Sequence, residues 1–285
     1  MEKGSSNIQR RTTSAYWETI MQETIHKGDR RRPFASKAGY CPTANWYMGN
    51  TSGDFVVGAS MKLYQGIGNG VEEELVRGAE RAGILLGTQV KLPTPHGVDL
   101  GGFIDMIALG ADGSPTLFEI KTCTNLPNKI KPEHAAQAAT YWLFSGMQNV
   151  ELIYVSRKVQ NFPDPTPLIR TFKFDPTEHE FELLNIMRTL ETFNLDKPPQ
   201  RPATYSKTRE CVFCDFNIRC WSSDTTDFLD NRQMSSVETK ASSELERIKK
   251  MRPGFVKKTL ENCRTSVPPA NKQLLEDYIK KASKK

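Results

Sequence analysis

"TLFEIKTC", residues 116–123, decides the reading of this chain. Leu, Phe, Ile and Thr make it a β-strand, yet it carries Glu119 and Lys121 two residues apart. Side chains at i and i+2 of a strand share a face, so an acid and a base point together from one side of what should be an interior strand. A lone Glu-x-Lys reads as a buried ion pair. Its neighbours change that reading.

The segment "LGGFIDMIAL" (100–109) is a second strand, and "GADGSP" (110–115) is the turn that folds it back onto the first. An antiparallel hairpin of this length sets Asp105 beside Glu119. Two adjacent carboxylates repel unless a cation lies between them, and hard oxygen ligands favour Mg²⁺ or Mn²⁺. Beyond Pro132, "EHAAQAATYWLF" predicts a helix ending near Gly146. His134, Gln137 and Tyr141 fall on one face of it, and the last two are embedded in a stretch that reads as buried.

Working outward, residues 59–86 predict a helix in which Gly66, Gly68 and Gly70 mark a place where something packs closely. "TQVKLP" (88–93), "VELIYVSR" (150–157) and "PLIRTFKF" (167–174) are strands, and a long helix runs from about 176 to 193. This order gives an α/β fold with a central mixed β-sheet flanked by helices.

These motifs resemble those of the PD-(D/E)XK nuclease superfamily, and within it the RecB-type branch. The resemblance rests on Asp105 on one strand, Glu119-Ile120-Lys121 on the next, and Gln137 with Tyr141 on the following helix. Upstream, "GNGVEEEL" (68–75) resembles the Gly-Asn-x-x-His-Glu motif, with Glu72 where many members carry a metal-binding His. Ile104 stands where the family name has Pro. The resemblance implies a restriction-endonuclease-like core and a metal-dependent DNA exonuclease. It further implies that Glu72, Asp105, Glu119 and the Ile120 carbonyl hold Mg²⁺ or Mn²⁺. Lys121 would position the attacking water or stabilise charge, and Gln137 and Tyr141 would hold the substrate strand in register. Glu73 is the neighbouring alternative to Glu72. Single-stranded ends and 5′-to-3′ polarity come from the resemblance alone.

Six cysteines stand at 41, 123, 211, 214, 220 and 263, too sparse for a disulfide scaffold. Cys211, Cys214 and Cys220 form C-x₂-C-x₅-C, a spacing that fits zinc or an iron–sulfur cluster and leaves both open, with Cys41 as the distant fourth ligand. The family resemblance favours a 4Fe–4S cluster on Cys41, Cys211, Cys214 and Cys220, as in RecB-type nucleases that include the AddB nuclease domain and CRISPR-associated exonucleases. Cys123 reads as a packed side chain.

The chain carries +6, unevenly spread. Residues 240–285 hold 13 Lys/Arg against 5 Asp/Glu, a balance of +8, which leaves −2 for everything before them. The basic tail and "RRRPFASK" (30–37) are expected to meet the phosphates of DNA. Two units are expected: a nuclease domain over 1–225 closed by the four cysteines, and a charged helical tail over 226–285. The tail reads as an appendage of short helices broken at Pro253 and at Pro268 and Pro269. No segment has the apolar length of a membrane span or a signal peptide, so a soluble, cytoplasmic protein is expected. DNA recombination, repair or CRISPR adaptation would use the same motifs, with or without a recombination or adaptation partner. A non-catalytic DNA-binding protein on the same fold and a zinc-stapled adaptor are the competing readings.

Overall fold

The computed structural model describes residues 23–25, 33–39, 41–50, 55–57, 59–95, 98–158, 168–201, 211, 214 and 216–284. The arginines at 30–32 lie outside them. Two short strands, β1 (Glu23–Ile25) and β2 (Phe55–Val57), pair antiparallel. The main sheet has five strands in sequence order: β3 (Leu85–Lys91), β4 (Phe103–Leu109), β5 (Pro115–Cys123), β6 (Asn149–Ser156) and β7 (Ile169–Lys173). All neighbours are antiparallel except β5 and β6, whose parallel pairing is bridged by helix α4 (Pro132–Ser145). The expected α/β class with a mixed sheet is therefore what the chain forms.

Strand alternation builds two cores, one on each face. Leu117, Val150, Leu152 and Tyr154 join the larger, with Leu143 and Phe144 of α4. Met106, Ala108, Phe118 and Ile153 face the smaller, with Val76 and Ala79 of α3 (Ala59–Arg81). Short helices α1 (Ala35–Ala38) and α2 (Pro42–Asn50) dock against α4 and α5 (Glu180–Thr192). Gly39 is needed there, because a Cβ would lie 2.9 Å from the Ala136 carbonyl oxygen. A single helical turn, α6 (Asn217–Ser222), carries Cys220.

The tail departs from expectation. Helix α7 (Asn231–Asn262) runs unbroken through Pro253, begun by a capping box in which Asp230 and Gln233 bond each other's backbone amides. An interior proline costs about 3 kcal/mol. Contacts on both sides of it outweigh that cost. Arg252 donates to the carbonyls of Trp142 (2.9 Å) and Met147 (3.0 Å) and stacks on the Trp142 ring, and Thr259 donates to the Ser145 carbonyl (2.8 Å). Burial pulls Arg252 down to about 10, so it stays charged at neutral pH. The break at Pro268 and Pro269 is where expected, between α7 and α8 (Lys272–Ala282). Ala241, Leu245, Ile248, Leu260, Cys263, Leu275 and Ile279 enter the larger core, so these C-terminal helices pack directly against it. Among the described residues no helix is long and apolar enough to cross a membrane.

Candidate active site

The β4–β5 pairing runs from Leu109↔Pro115 to Met106↔Phe118, and one further step sets Asp105 opposite Glu119. There the ladder gives way to side-chain chemistry. The Ile120 amide donates to Asp105 Oδ2 at 2.9 Å instead of to a β4 carbonyl. A strand residue's N–H and C=O leave from the same edge, so the Ile120 carbonyl faces the same side as Asp105. Glu119 and Lys121 share the face of Leu117, and Lys121 Nζ pairs with Glu119 Oε1. Glu119 is only 1% exposed, and its second oxygen, Oε2, is buried with no hydrogen-bond partner among the described residues.

Helix α3 brings Glu72 to the same place. It accepts from Gln89, is itself raised by Asp105, and raises Glu119 and Lys121. Glu73 is exposed and pairs with Arg77, so Glu72 is the glutamate that faces the site.

The electrostatics are those of acids held together against repulsion. Burial, then Glu119, pushes Asp105 up to about 7. Burial likewise raises Glu119 despite the attraction of Lys121, and raises Glu72, with Asp105 adding to it. Lys121 is disfavoured by burial but raised overall by Glu119, Asp105 and Glu72. Each carboxylate meets an internal donor: Lys121 for Glu119, the Ile120 amide for Asp105, Gln89 for Glu72.

Gln137 and Tyr141 stand behind the acids. Gln137 donates to the Tyr141 hydroxyl (2.8 Å), which donates to the Phe103 carbonyl (2.6 Å), two residues before Asp105. Tyr141 is 2% exposed and its hydroxyl is pushed well up by burial, then by Glu119 and Asp105. His134 turns elsewhere, its Nδ1 2.8 Å from the Tyr154 hydroxyl.

Sequence reading missed Gln89. It lies opposite Asp105 in the β3–β4 register and has φ +48°, a left-handed value unusual for a non-glycine strand residue. A glutamine in "GTQVK" gives no local sign of this.

A family model, the PD-(D/E)XK nuclease superfamily, matches residues 3–221. The chain belongs to that superfamily. No curated protein sequence matches it. A solved structure described as "Crystal structure of SSO0001" is 16% identical, covers 75% of this chain and 95% of its own, and superposes with a TM-score of 0.39. The family assignment does not draw on it.

PD-(D/E)XK proteins are in general nucleases that use Mg²⁺ or Mn²⁺ on DNA. Among the described residues no three His, Cys, Asp or Glu side chains already converge as a metal-binding group. The donor set nevertheless suits a hard cation. It offers carboxylate oxygens with mutual repulsion to relieve, one of them orphaned, and no soft ligand.

In this PD-(D/E)XK chain Cys41, Cys211, Cys214 and Cys220 line one small pocket with Tyr47, Phe216 and Trp221. Cys220 is pushed up to about 11 by burial, then by the other three sulfurs. The aromatics pack around the pocket. Tyr47 stacks on Phe216, and Trp46 donates to the Leu195 carbonyl at 2.7 Å. Cys123 and Cys263 are buried elsewhere, as packed side chains.

Proposed function

We propose that the protein is a RecB-type, metal-dependent DNA exonuclease acting on single-stranded ends, with a 4Fe–4S cluster on Cys41, Cys211, Cys214 and Cys220. The observation that carries the hydrolytic reading is the buried convergence of Asp105, Glu119 and Lys121 with an orphaned Glu119 oxygen. Glu72, Asp105, Glu119 and the Ile120 carbonyl would hold the cation. When bound, it supplies Lewis acidity toward the phosphate and makes its water acidic.

The chain's own groups do the rest. Asp105 would hold the cation as the carboxylate, its proton passing to solvent. Lys121 swings from Glu119 toward the attacking water or the developing phosphorane charge, its ammonium kept protonated by three surrounding acids. Tyr141 and Gln137 fix the start of β4 and hence the position of Asp105, and we assign to them the register of the substrate strand as well. The four cysteines would close the N-terminal segment onto residues 211–220. DNA recombination, repair or CRISPR adaptation, in the cytoplasm and with or without a protein partner, is the setting this chemistry suits.

The test is digestion of end-labelled single-stranded DNA by anaerobically purified protein with Mg²⁺, beside Lys121→Ala. Degradation by the wild type and not the variant supports the reading, and the released label reports whether polarity is 5′-to-3′. Binding without cutting, in both Mg²⁺ and Mn²⁺, would replace it with a non-catalytic DNA-binding protein.

A further inference from the structure

Helix α3 carries Tyr64, Gly68 and Glu72 at four-residue intervals, hence on one face. Glu72 faces the acids. One turn back, a Cβ on Gly68 would only just reach Thr122 Oγ1, at 4.0 Å, and Gly66 and Gly70 would meet nothing within 4 Å. The close packing that these glycines predict is therefore not supplied by the described residues. Helical glycines are unfavourable relative to alanine, so an open glycine track beside the site calls for an occupant.

Its far end has a cation and a ring. Arg157 follows β6, held by its amide's bond to the Cys123 carbonyl (2.7 Å), so it stands at the strand ends just past Lys121. Its guanidinium lies over the Tyr64 ring, 4.8 Å from the centroid. Arg157 Nε is shut off from solvent and has no hydrogen-bond partner among the described residues. Tyr64 is 55% exposed. Eight residues of helix separate Tyr64 from Glu72, about 12 Å along the axis. That is two to four nucleotides of a strand, at roughly 3.4 Å each when stacked and about twice that when extended.

We propose that Arg157 and Tyr64 form a second station for the substrate strand: Arg157 takes a backbone phosphate two to four nucleotides from the scissile one, Tyr64 stacks on the adjoining base, and the strand crosses α3 over Gly66–Gly70. This rests on the nuclease reading for the identity of the strand. A half-buried guanidinium lying over an exposed ring matches a phosphate and a base better than a protein carboxylate, which would leave the ring unused.

The test separates binding from cutting. Anisotropy of a labelled 12-nucleotide single strand is read in EDTA over a salt series, and kinetics with Mg²⁺ are read on the same strand and on a dinucleotide. Arg157→Ala is expected to weaken strand binding about tenfold and to lower the slope of log K against log salt by about 0.7, the loss of one phosphate contact. KM on the 12-mer should rise by a similar factor with kcat little altered, and the dinucleotide should suffer much less. Arg157→Lys should restore the salt slope. Tyr64→Ala should weaken binding about tenfold with the slope intact, and Tyr64→Phe should bind as the wild type does. An unchanged salt slope in Arg157→Ala, or an equal loss on dinucleotide and 12-mer, overturns the station. If the wild type cuts nothing, the hydrolytic reading falls, and the anisotropy and its salt slope still decide for or against Arg157.

Discussion

Replacing Asp105 by Asn should make the metal-free protein more stable while abolishing cleavage. Burial and Glu119 push Asp105 to about 7, against about 3.9 in an unfolded chain. The unfolded chain gives up this proton near pH 4 and the folded chain keeps it to about 7. Stability therefore falls as pH rises through that interval, and the whole penalty is present above it. Three units correspond to a ceiling of about 4 kcal/mol at pH 8. Asn keeps an oxygen for the Ile120 amide but loses the attraction of Lys121, so the expected net gain is about 1–3 kcal/mol. In a chain of this size that is a rise in Tm of roughly 2–5 °C. Thermal unfolding of both proteins in EDTA at pH 8 and pH 4.5 reads it, and at the lower pH the gain should shrink to less than about a third. Adding Mg²⁺ or Mn²⁺ at pH 8 should stabilise the wild type and not the variant, narrowing the gap. A variant less stable than wild type at pH 8, or an offset independent of pH, would refute the reasoning that these acids are held together at the fold's expense.

Three further outcomes are expected. Gly146→Ala meets a φ of +72° and places a Cβ 2.2 Å from the Arg252 carbonyl oxygen and 2.9 Å from the Val256 nitrogen, so urea unfolding should show a loss of about 2–5 kcal/mol. Ending the chain at Thr225 strips Ala241, Leu245, Ile248, Leu260, Leu275 and Ile279 from the core and should leave a dye-binding, non-cooperative species; a soluble, cutting 1–225 fragment would establish it as an independent domain. Cys220→Ser should yield colourless protein without bound iron by metal analysis, whereas a colourless wild type holding one zinc ion would reassign the pocket.

What the sequence made legible was local. The hairpin 103–123 announces itself by period-two alternation and a turn in which Asp112 accepts from the Ser114 amide, and its register follows from the turn length. Asp105 and Glu119 then meet without further information. Gln89 and Arg157 were not legible, because each gains its place from a strand or strand end distant in sequence: Gln89 from its position opposite Asp105, Arg157 from the parallel pairing across α4. Pro253 misled for a related reason. Local propensity ends a helix there, and the bonds of Arg252 and Thr259 to the last turn of α4 and the residues after it, more than 100 residues away, hold it together. The glycines of α3 suggested close packing, and among the described residues nothing packs closely against them.

The acidic site and the proposed cysteine cluster differ in how they are secured, and this fixes what loss of that cluster should do. Asp105 and Glu119 lie on adjacent strands joined by a short turn, so no long loop is closed to bring them together. Cys41 and Cys211 are about 170 residues apart. Joining such distant points restricts the unfolded chain by about 4–5 kcal/mol if the link is covalent in strength. The same N-terminal segment is also held by side-chain bonds from Thr43 to the Pro199 carbonyl, Trp46 to Leu195, Asn50 to Phe193 and Thr189 to Ala38. At about 1 kcal/mol each these are together comparable with the cluster. Removing the cluster should therefore loosen α1 and α2, read as faster amide exchange there, while the protection of β4 and β5 changes little. Uniform loss of protection across the sheet would show that the cluster supports the catalytic hairpin itself.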